Sequence, residues 1–297
     1  MKYQKNQFLM WTDINITIIS DNNSIQDISD SFAIFYSLEK EFSRFLESSD
    51  LSILNKSKEL EVSNRFINIL KLTKQIYLDT NKYFNPLINL NNIWYSSDFK
   101  LGLFNKKEEK QNIDLEKVLS IWNFVTLKQN QNLDLGWIVK GYWVDLVSDF
   151  LKEKWYKNFI INAWGDIYFS WEKQSWNNWV VAIDNPFNTK DIFAILEIKD
   201  KAISTSGTYK RKWNIDWEDF HHILNPEQDR NNNEIISISL ISNKCYMADS
   251  YATACIAMWI EKSLVFLQKQ NIDWIIIWSD GNVYQTKWMS NYNLKII

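Results

Sequence analysis

Phe159–Ser170 reads FIINAWGDIYFS. Its two apolar runs, Phe159–Asn162 and Asp166–Ser170, have the β-branched and aromatic content of strands. Further strand-like runs follow at Trp179–Ile183, Phe193–Ile198 and Ile235–Ile241. Just upstream, Val139, Tyr142, Leu146, Val147, Phe150 and Leu151 form an apolar stripe that predicts a helix over Ile138–Lys154. Strands in runs, with helices interspersed rather than alternating one for one, predict an α+β fold and not a doubly wound sheet. Toward the N-terminus, Phe8–Ile19 reads as one strand. Ser24–Leu46 reads as a helix on the spacing of Ile25, Ile28, Phe32, Phe35, Leu38 and Phe42, with Ser24 as N-cap. A second helix is expected from Ser63. Toward the C-terminus, Tyr246–Ile260 and Ser263–Gln270 read as helices, and two closing strands flank the Asp280-Gly281 turn. No internal repeat or linker is visible.

The 297 residues are 46% hydrophobic and 23% charged, which is ample for a core and excludes wholesale disorder. A net charge of −3 carries no basic footprint, so nucleic acid is not an expected partner. Cys245 and Cys255 are too few for a disulfide framework or a four-thiolate metal site. No run approaches the roughly 18 to 20 apolar residues of a membrane span. Ile272–Trp278 is short and contains Asp273. Met1–Gln7 lacks the layout of a signal peptide, so the expectation is a cytoplasmic protein, or a periplasmic or membrane-anchored one if the true start lies upstream.

Three segments offer chemistry. Asp249 and Thr253 are four residues apart in a predicted helix, so they share a face and present two oxygens to one point. Hard cations take such ligands, although taken alone an aspartate capping a helix is far commoner than a metal ligand. Asp134–Tyr142 lies where a helix begins, a natural anion site to which Lys140 adds charge, but its spacing is not that of a Walker loop. Ala202–Gly207 (AISTSG), then Tyr209-Lys210-Arg211-Lys212, offers hydroxyls and cations, or a plain turn with solvated lysines. The histidines, His221 and His222, are adjacent, which makes a helical zinc pair improbable.

In their order along the chain these segments resemble the ApbE family, the FAD:protein FMN transferases. The family reads approximately M-G-T, S-x-L-x-x-x-N, F-D-P, D-L-G-G-I-A-K-G-Y, N-x-G-G-D, T-S-G, H-H-I-x-D-P and A-D-x-x-A-T. Here the same places hold Met10-Trp11-Thr12, Ser49–Asn55, Phe84-Asn85-Pro86, Asp134–Tyr142, Asn162–Asp166, Thr205-Ser206-Gly207, His221–Pro226 and Ala248–Thr253. The resemblance implies one domain over 1–297 with mixed or antiparallel sheets, packed helices and an active site in a cleft between two intimately packed lobes. It implies Mg²⁺-dependent transfer of FMN from FAD to a Thr or Ser hydroxyl of an acceptor protein, with release of AMP. A Mg²⁺-dependent FAD pyrophosphatase and a non-catalytic FAD-binding protein are the alternatives. By the same resemblance Mg²⁺ falls to Asp249, Thr253 and the backbone carbonyl of Trp137. FAD falls to Met10, Phe45, Tyr83, Phe84, Asn85, Asp134, Lys140 and Ile223. His222 is the first choice for the base at the acceptor hydroxyl, with Asp249 its rival. Asn85 departs from the family's aspartate, which weakens local binding if that carboxylate matters.

A second departure is compositional. The chain has 6 Gly and 16 Trp, where average usage predicts about 21 glycines. Trp11, Trp137 and Trp164 stand where the family has glycine, and so do Trp94, Trp155, Trp171 and Trp259. Tryptophan supplies neither positive φ nor close backbone approach cheaply. The expectation is a gene whose UGA codons specify glycine, translated with a table that reads them as tryptophan. Trp179, within a strand, is expected to be a true tryptophan.

Overall fold

The computed structural model describes residues 1–9, 12–87, 113–171, 178–215, 217–228 and 230–297. The first half contains β1 (Lys2–Leu9), β2 (Thr12–Ile19), α1 (Ile25–Phe42), α2 (Asp50–Ser57), β3 (Glu59–Glu61), α3 (Asn64–Asp79), β4 (Leu119–Ile121), β5 (Phe124–Thr126) and α4 (Gly136–Glu153). Strands then dominate: β6 (Asn158–Ala163), β7 (Asp166–Ser170), β8 (Trp179–Asp184), β9 (Ile192–Ile198), β10 (Lys201–Gly207), β11 (Lys212–Ile215), β12 (Glu218–His221) and β13 (Ile235–Ser242). The chain closes with α5 (Cys245–Ala257), α6 (Ile260–Gln270), β14 (Asp273–Trp278), β15 (Val283–Gln285) and β16 (Lys295–Ile296). None of the described helices is long and apolar enough to cross a membrane.

The fold is α+β, and its strand pairs are antiparallel. One eight-stranded sheet has the order β1-β2-β6-β7-β10-β13-β14-β15. Side chains alternate across it and divide the core in two. Tyr168, Ala202, Ile238, Leu240 and Ile276 join the helices in one cluster. Their neighbours Phe169, Ile203, Ile241 and Ile275 join Trp179, Ile183, Leu196 and Ile198 of β8 and β9 in the other. The sheet is thus a middle layer, covered by helices on one face and by the β16-β9-β8 sheet on the other.

Several expectations change in detail. Phe8–Ile19 forms parts of two paired strands, with Leu9 opposite Thr12. The helix expected over Ser24–Leu46 ends at Phe42, and Ser24 makes no side-chain cap bond. α2 went unseen because eight residues are too few to show periodicity. Its N-cap Ser49, which accepts the Ser52 N–H, was the available signal. Ala202–Gly207 lies within strand β10, not in a turn after a strand. The short hairpin β11-β12 was likewise unforeseen.

The α4–α5 pair positions the site. A Cβ added at Gly141 of α4 would lie 2.6 Å from the Tyr246 Cα and 2.7 Å from the Cys245 carbonyl oxygen, so only glycine permits this approach. One turn further along, the Asp145 carboxylate accepts the N–H groups of Cys245 (2.8 Å) and Tyr246 (2.9 Å). The N-cap of α5, Lys244, makes no side-chain cap bond, so a residue 100 positions upstream satisfies the helix's free donors. Burial pushes the Asp145 carboxyl up to about 6, and the two backbone N–H groups oppose it. A pKa raised on folding contributes stability that is complete below about pH 4 and lost as pH rises through 6. Asp145→Asn keeps an acceptor oxygen without the charge. It is expected to remove up to about 3 kcal/mol of the stability loss between pH 4 and 7, read from urea unfolding at both pH values.

Candidate functional site

A cavity of about 550 Å³ opens where the first turn of α4, the β6–β7 turn, the end of β10 and the middle of α5 converge. At its floor lies a buried charge cluster. The Lys140 ammonium pairs with the Asp166 carboxylate and stands 3.7 Å from Asp249 Oδ2, too far for a hydrogen bond. Burial alone would lower the lysine's pKa, but the two carboxylates outweigh it and hold Lys140 above its ordinary value. Asp249 is raised to about 8 by burial and by the Asp166 charge, against the pull of Lys140. Asp249 Oδ2 is buried and has no hydrogen-bond partner. Thr253, one turn along α5, faces the same cavity, and its hydroxyl lies 3.3 Å from Ser206 Oγ.

These donors fit a small hard cation. A buried carboxylate oxygen without a hydrogen bond is costly unless something positive meets it. Asp249 and Thr253 supply hard oxygens on one helix face, and Trp137 lines the same cavity. Among the described residues no group of three or more His, Cys, Asp or Glu could hold a metal. A cation held at Asp249 and Thr253 would draw the rest of its shell from backbone, water or ligand oxygens.

His222 also lines the cavity, its ring stacked on the Trp137 indole with centroids 5.4 Å apart and planes 16° from parallel. Burial first, then the Arg211 charge, holds its pKa well below 6.5, so the ring is neutral at pH 7. Its Nδ1 is buried without a partner. The other histidine is occupied structurally: His221 Nε2 meets the Asn232 carbonyl oxygen at 3.1 Å, and its Nδ1 accepts the Ile223 N–H.

Of the flavin-binding candidates, Phe45, Asp134, Lys140 and Ile223 line the cavity. Asp134 has a structural task as well, since it accepts the Gly136 N–H (3.0 Å) at the start of α4 and pairs with Arg44 at 2.5 Å. Tyr83, Phe84 and Asn85 follow α3 and are not among the lining residues. The Tyr83 hydroxyl accepts from Lys262, Phe84 is buried in the core, and the Asn85 side-chain amide donates to the Ile113 carbonyl oxygen (2.8 Å). Met10, Trp11 and Trp94 lie outside the described residues. Lining residues given no role from the sequence include Arg44, Asp166 and Asp184. Asp166 was legible as the end of the Asn162–Asp166 motif, but pairing with Lys140 is a tertiary fact.

The sequence profile of the ApbE family matches residues 10–276. A Buchnera aphidicola FAD:protein FMN transferase is 24% identical over 275 residues, covering 85% of this chain and 78% of that protein. The enzymes of that name from Vibrio cholerae (29% identical, 49% of this chain) and Klebsiella pneumoniae (30%, 51%) match over a shorter region. The chain spans about half the length of these last two, 44% and 47% respectively. Among solved structures, the ApbE protein of Thermotoga maritima superposes with a TM-score of 0.87 at 20% identity, covering 98% of this chain and 99% of that one. The Vibrio cholerae flavin transferase ApbE superposes with a TM-score of 0.81 at 21% identity, over 98% of this chain and 99% of that one. Fold, ordered motifs and a profile match over nearly the whole length agree, and the chain belongs to the ApbE family.

Proposed function

We propose that the protein transfers FMN from FAD to a Thr or Ser hydroxyl of an acceptor protein, with Mg²⁺ held at Asp249 and Thr253 and AMP as the leaving group. The observation that carries this reading is the buried Asp249 oxygen without a hydrogen bond, beside Thr253, in a cavity that Arg44, Lys140 and Arg211 also line. The names of the relatives, FAD:protein FMN transferase, support it.

Phosphoryl transfer depends on positioning and on neutralising charge at the phosphate oxygens. The acceptor oxygen forms a bond to the FMN-side phosphorus of the pyrophosphate while the bond from that phosphorus to the AMP oxygen breaks. Bound Mg²⁺ would neutralise charge on the bridging and leaving oxygens. Lys140, kept charged by Asp166 and Asp249, sets a fixed positive group beside the phosphates. The positive end of the α4 dipole faces the dinucleotide's phosphates, with Asp134 and Arg44 lining the cavity beside it. His222, neutral and with Nδ1 unpartnered, takes the acceptor's proton. Asp249 is committed to the cation in this reading, which favours His222 as the base.

Incubation with FAD, Mg²⁺ and an acceptor carrying a threonine tests the reading by flavin fluorescence of the acceptor in a denaturing gel. Labelled acceptor is expected. AMP without label would point to hydrolysis, and intact bound FAD to a binding protein. Chelation by EDTA is expected to bring labelling to background, with recovery on adding back excess Mg²⁺. His222→Ala is expected to slow labelling by about a hundredfold, in the range of a lost general base, while FAD affinity measured by fluorescence titration changes little. An unchanged labelling rate would remove His222 from the reaction.

A further inference from the structure

Five tryptophans have left-handed backbone: Trp122 (φ 54), Trp155 (φ 64), Trp164 (φ 55), Trp171 (φ 51) and Trp217 (φ 70). Bulky L-residues are outliers there, whereas glycine enters at no steric cost. Each of the five stands at a junction with a specific backbone demand. Trp164 and Gly165 form the two-residue loop between the paired Ala163 and Asp166, and both have positive φ. That is the type I′ hairpin turn, which favours Asn-Gly or Gly-Gly. Trp122 opens the two-residue loop between the paired Ile121 and Phe124, and Trp217 closes the one between Ile215 and Glu218.

Trp155 shows the demand most fully. Its N–H bonds to the Lys152 carbonyl (2.9 Å), and the Tyr156 N–H bonds to the Leu151 carbonyl (3.0 Å). This pair of bonds is the Schellman closure, with Trp155 of α4 at the C′ position that glycine usually holds. Trp171 follows β7 and donates its backbone N–H to Asp200 Oδ1 (2.7 Å). Trp164 and Trp171 are about half exposed. Trp122, Trp155 and Trp217 are 91%, 89% and 97% exposed.

Two other tryptophans place their rings in the core, although the Trp143 indole N–H finds no hydrogen-bond partner there. Trp179 is buried and its indole N–H donates to the Ser170 carbonyl (3.1 Å). Trp143 is fully buried, edge-on to Phe35. Among the described residues eleven non-glycines have positive φ: these five tryptophans, four Asn or Asp, which tolerate the region, and Lys58 and Lys82, so tryptophan is the largest group, in a chain of 297 residues with only 6 glycines. We infer that the native polypeptide carries glycine at 122, 155, 164, 171 and 217, its UGA codons being decoded as glycine while UGG supplies the true tryptophans.

The inference is independent of the proposed activity, but it alters the cavity. Trp164 lies in the lining, beneath the Lys210 ammonium (5.7 Å to the ring centroid) and the Arg211 guanidinium (5.0 Å). Glycine at 164 removes that indole and uncovers both cations toward the space that receives a dinucleotide. Trp137 has ordinary helical backbone, so its assignment rests on the motif alone, yet glycine there would likewise uncover the ring face of His222.

The test reads the gene and the protein from the source organism. Peptides of the purified native protein, sequenced by mass spectrometry, are expected to carry glycine at all five positions and tryptophan at 179. The coding sequence is expected to show UGA at the five and UGG at 179. A tryptophan-bearing peptide covering any of the five, or a UGG codon at any of them, overturns the inference.

Discussion

Asp249→Asn is expected to abolish FMN transfer, slowing acceptor labelling by at least about a thousandfold, while the protein remains folded. The expectation combines two properties of one carboxylate. The buried Oδ2 has no hydrogen-bond donor, and the nearest cation, Lys140, stands 3.7 Å from it. Withdrawing the carboxylate's charge leaves Mg²⁺ with a threonine hydroxyl and carbonyl oxygens, which bind it weakly. Loss of several kcal/mol of stabilisation at the transferring phosphate corresponds to the stated rate factor. Folding should respond in the opposite sense. Burial and the Asp166 charge raise the Asp249 pKa, so an ionised carboxylate here destabilises the empty fold, and a neutral amide relieves it. The asparagine protein should therefore melt no lower than the parent without Mg²⁺ or FAD. Mg²⁺ should raise the melting temperature of the parent with FAD present, and not that of the variant. A variant that labels its acceptor at the parental rate would remove Asp249 from the cation site.

Gly141→Ala should produce the largest loss of stability from a single methyl group. The added Cβ meets backbone atoms of α5 at 2.6 and 2.7 Å, and backbone cannot rotate away as a side chain can. Overpacking of this kind costs about 3 kcal/mol at a rigid contact. For a chain of 297 residues that corresponds to a melting temperature lower by about 5 °C. The strain also acts on geometry, because α5 must move away from α4. Lys140 lies on one helix and Asp249 on the other, so their spacing opens with the helices. FAD affinity should fall together with stability. Gly141→Ala that melts within a degree of the parent would show that the two helices separate freely.

How much of this was legible from the sequence follows from the range of each interaction. β6, β7, β8, β9 and β13 were placed to within a residue or two because each is a dense apolar run between turn residues. The helical stripe of α4 was equally plain, since it rests on residues three and four apart. The pairing of Asp249 with Thr253 was legible for the same reason. Short elements failed: β11 and β12 hold four residues each, and α2 eight, too few for a period to register. Tertiary partners failed too. Nothing near Asp145 announces that it will cap a helix beginning 100 residues later, and nothing near Arg44 points to Asp134. For AISTSG the sequence leaves a ligand-facing hydroxyl segment and a plain turn both open, because serine, threonine and glycine favour turns in isolation. The pairing of β10 with β7 and β13 overrides that preference, and Ala202 and Ile203 contribute to the two cores.

The reach of Asp145 across the sequence has a kinetic corollary. The free amides at the start of α5 stay unsatisfied until α4 is already docked, so half of the cation site is built by the same long-range step that buries Gly141. Such contacts close a large loop and form late. A chain still emerging from the ribosome short of residue 245 has α4 but lacks Asp249 and Thr253. In deuterium-exchange experiments the amides of Cys245 and Tyr246 should be among the slowest to label, because they open only when the two helices part.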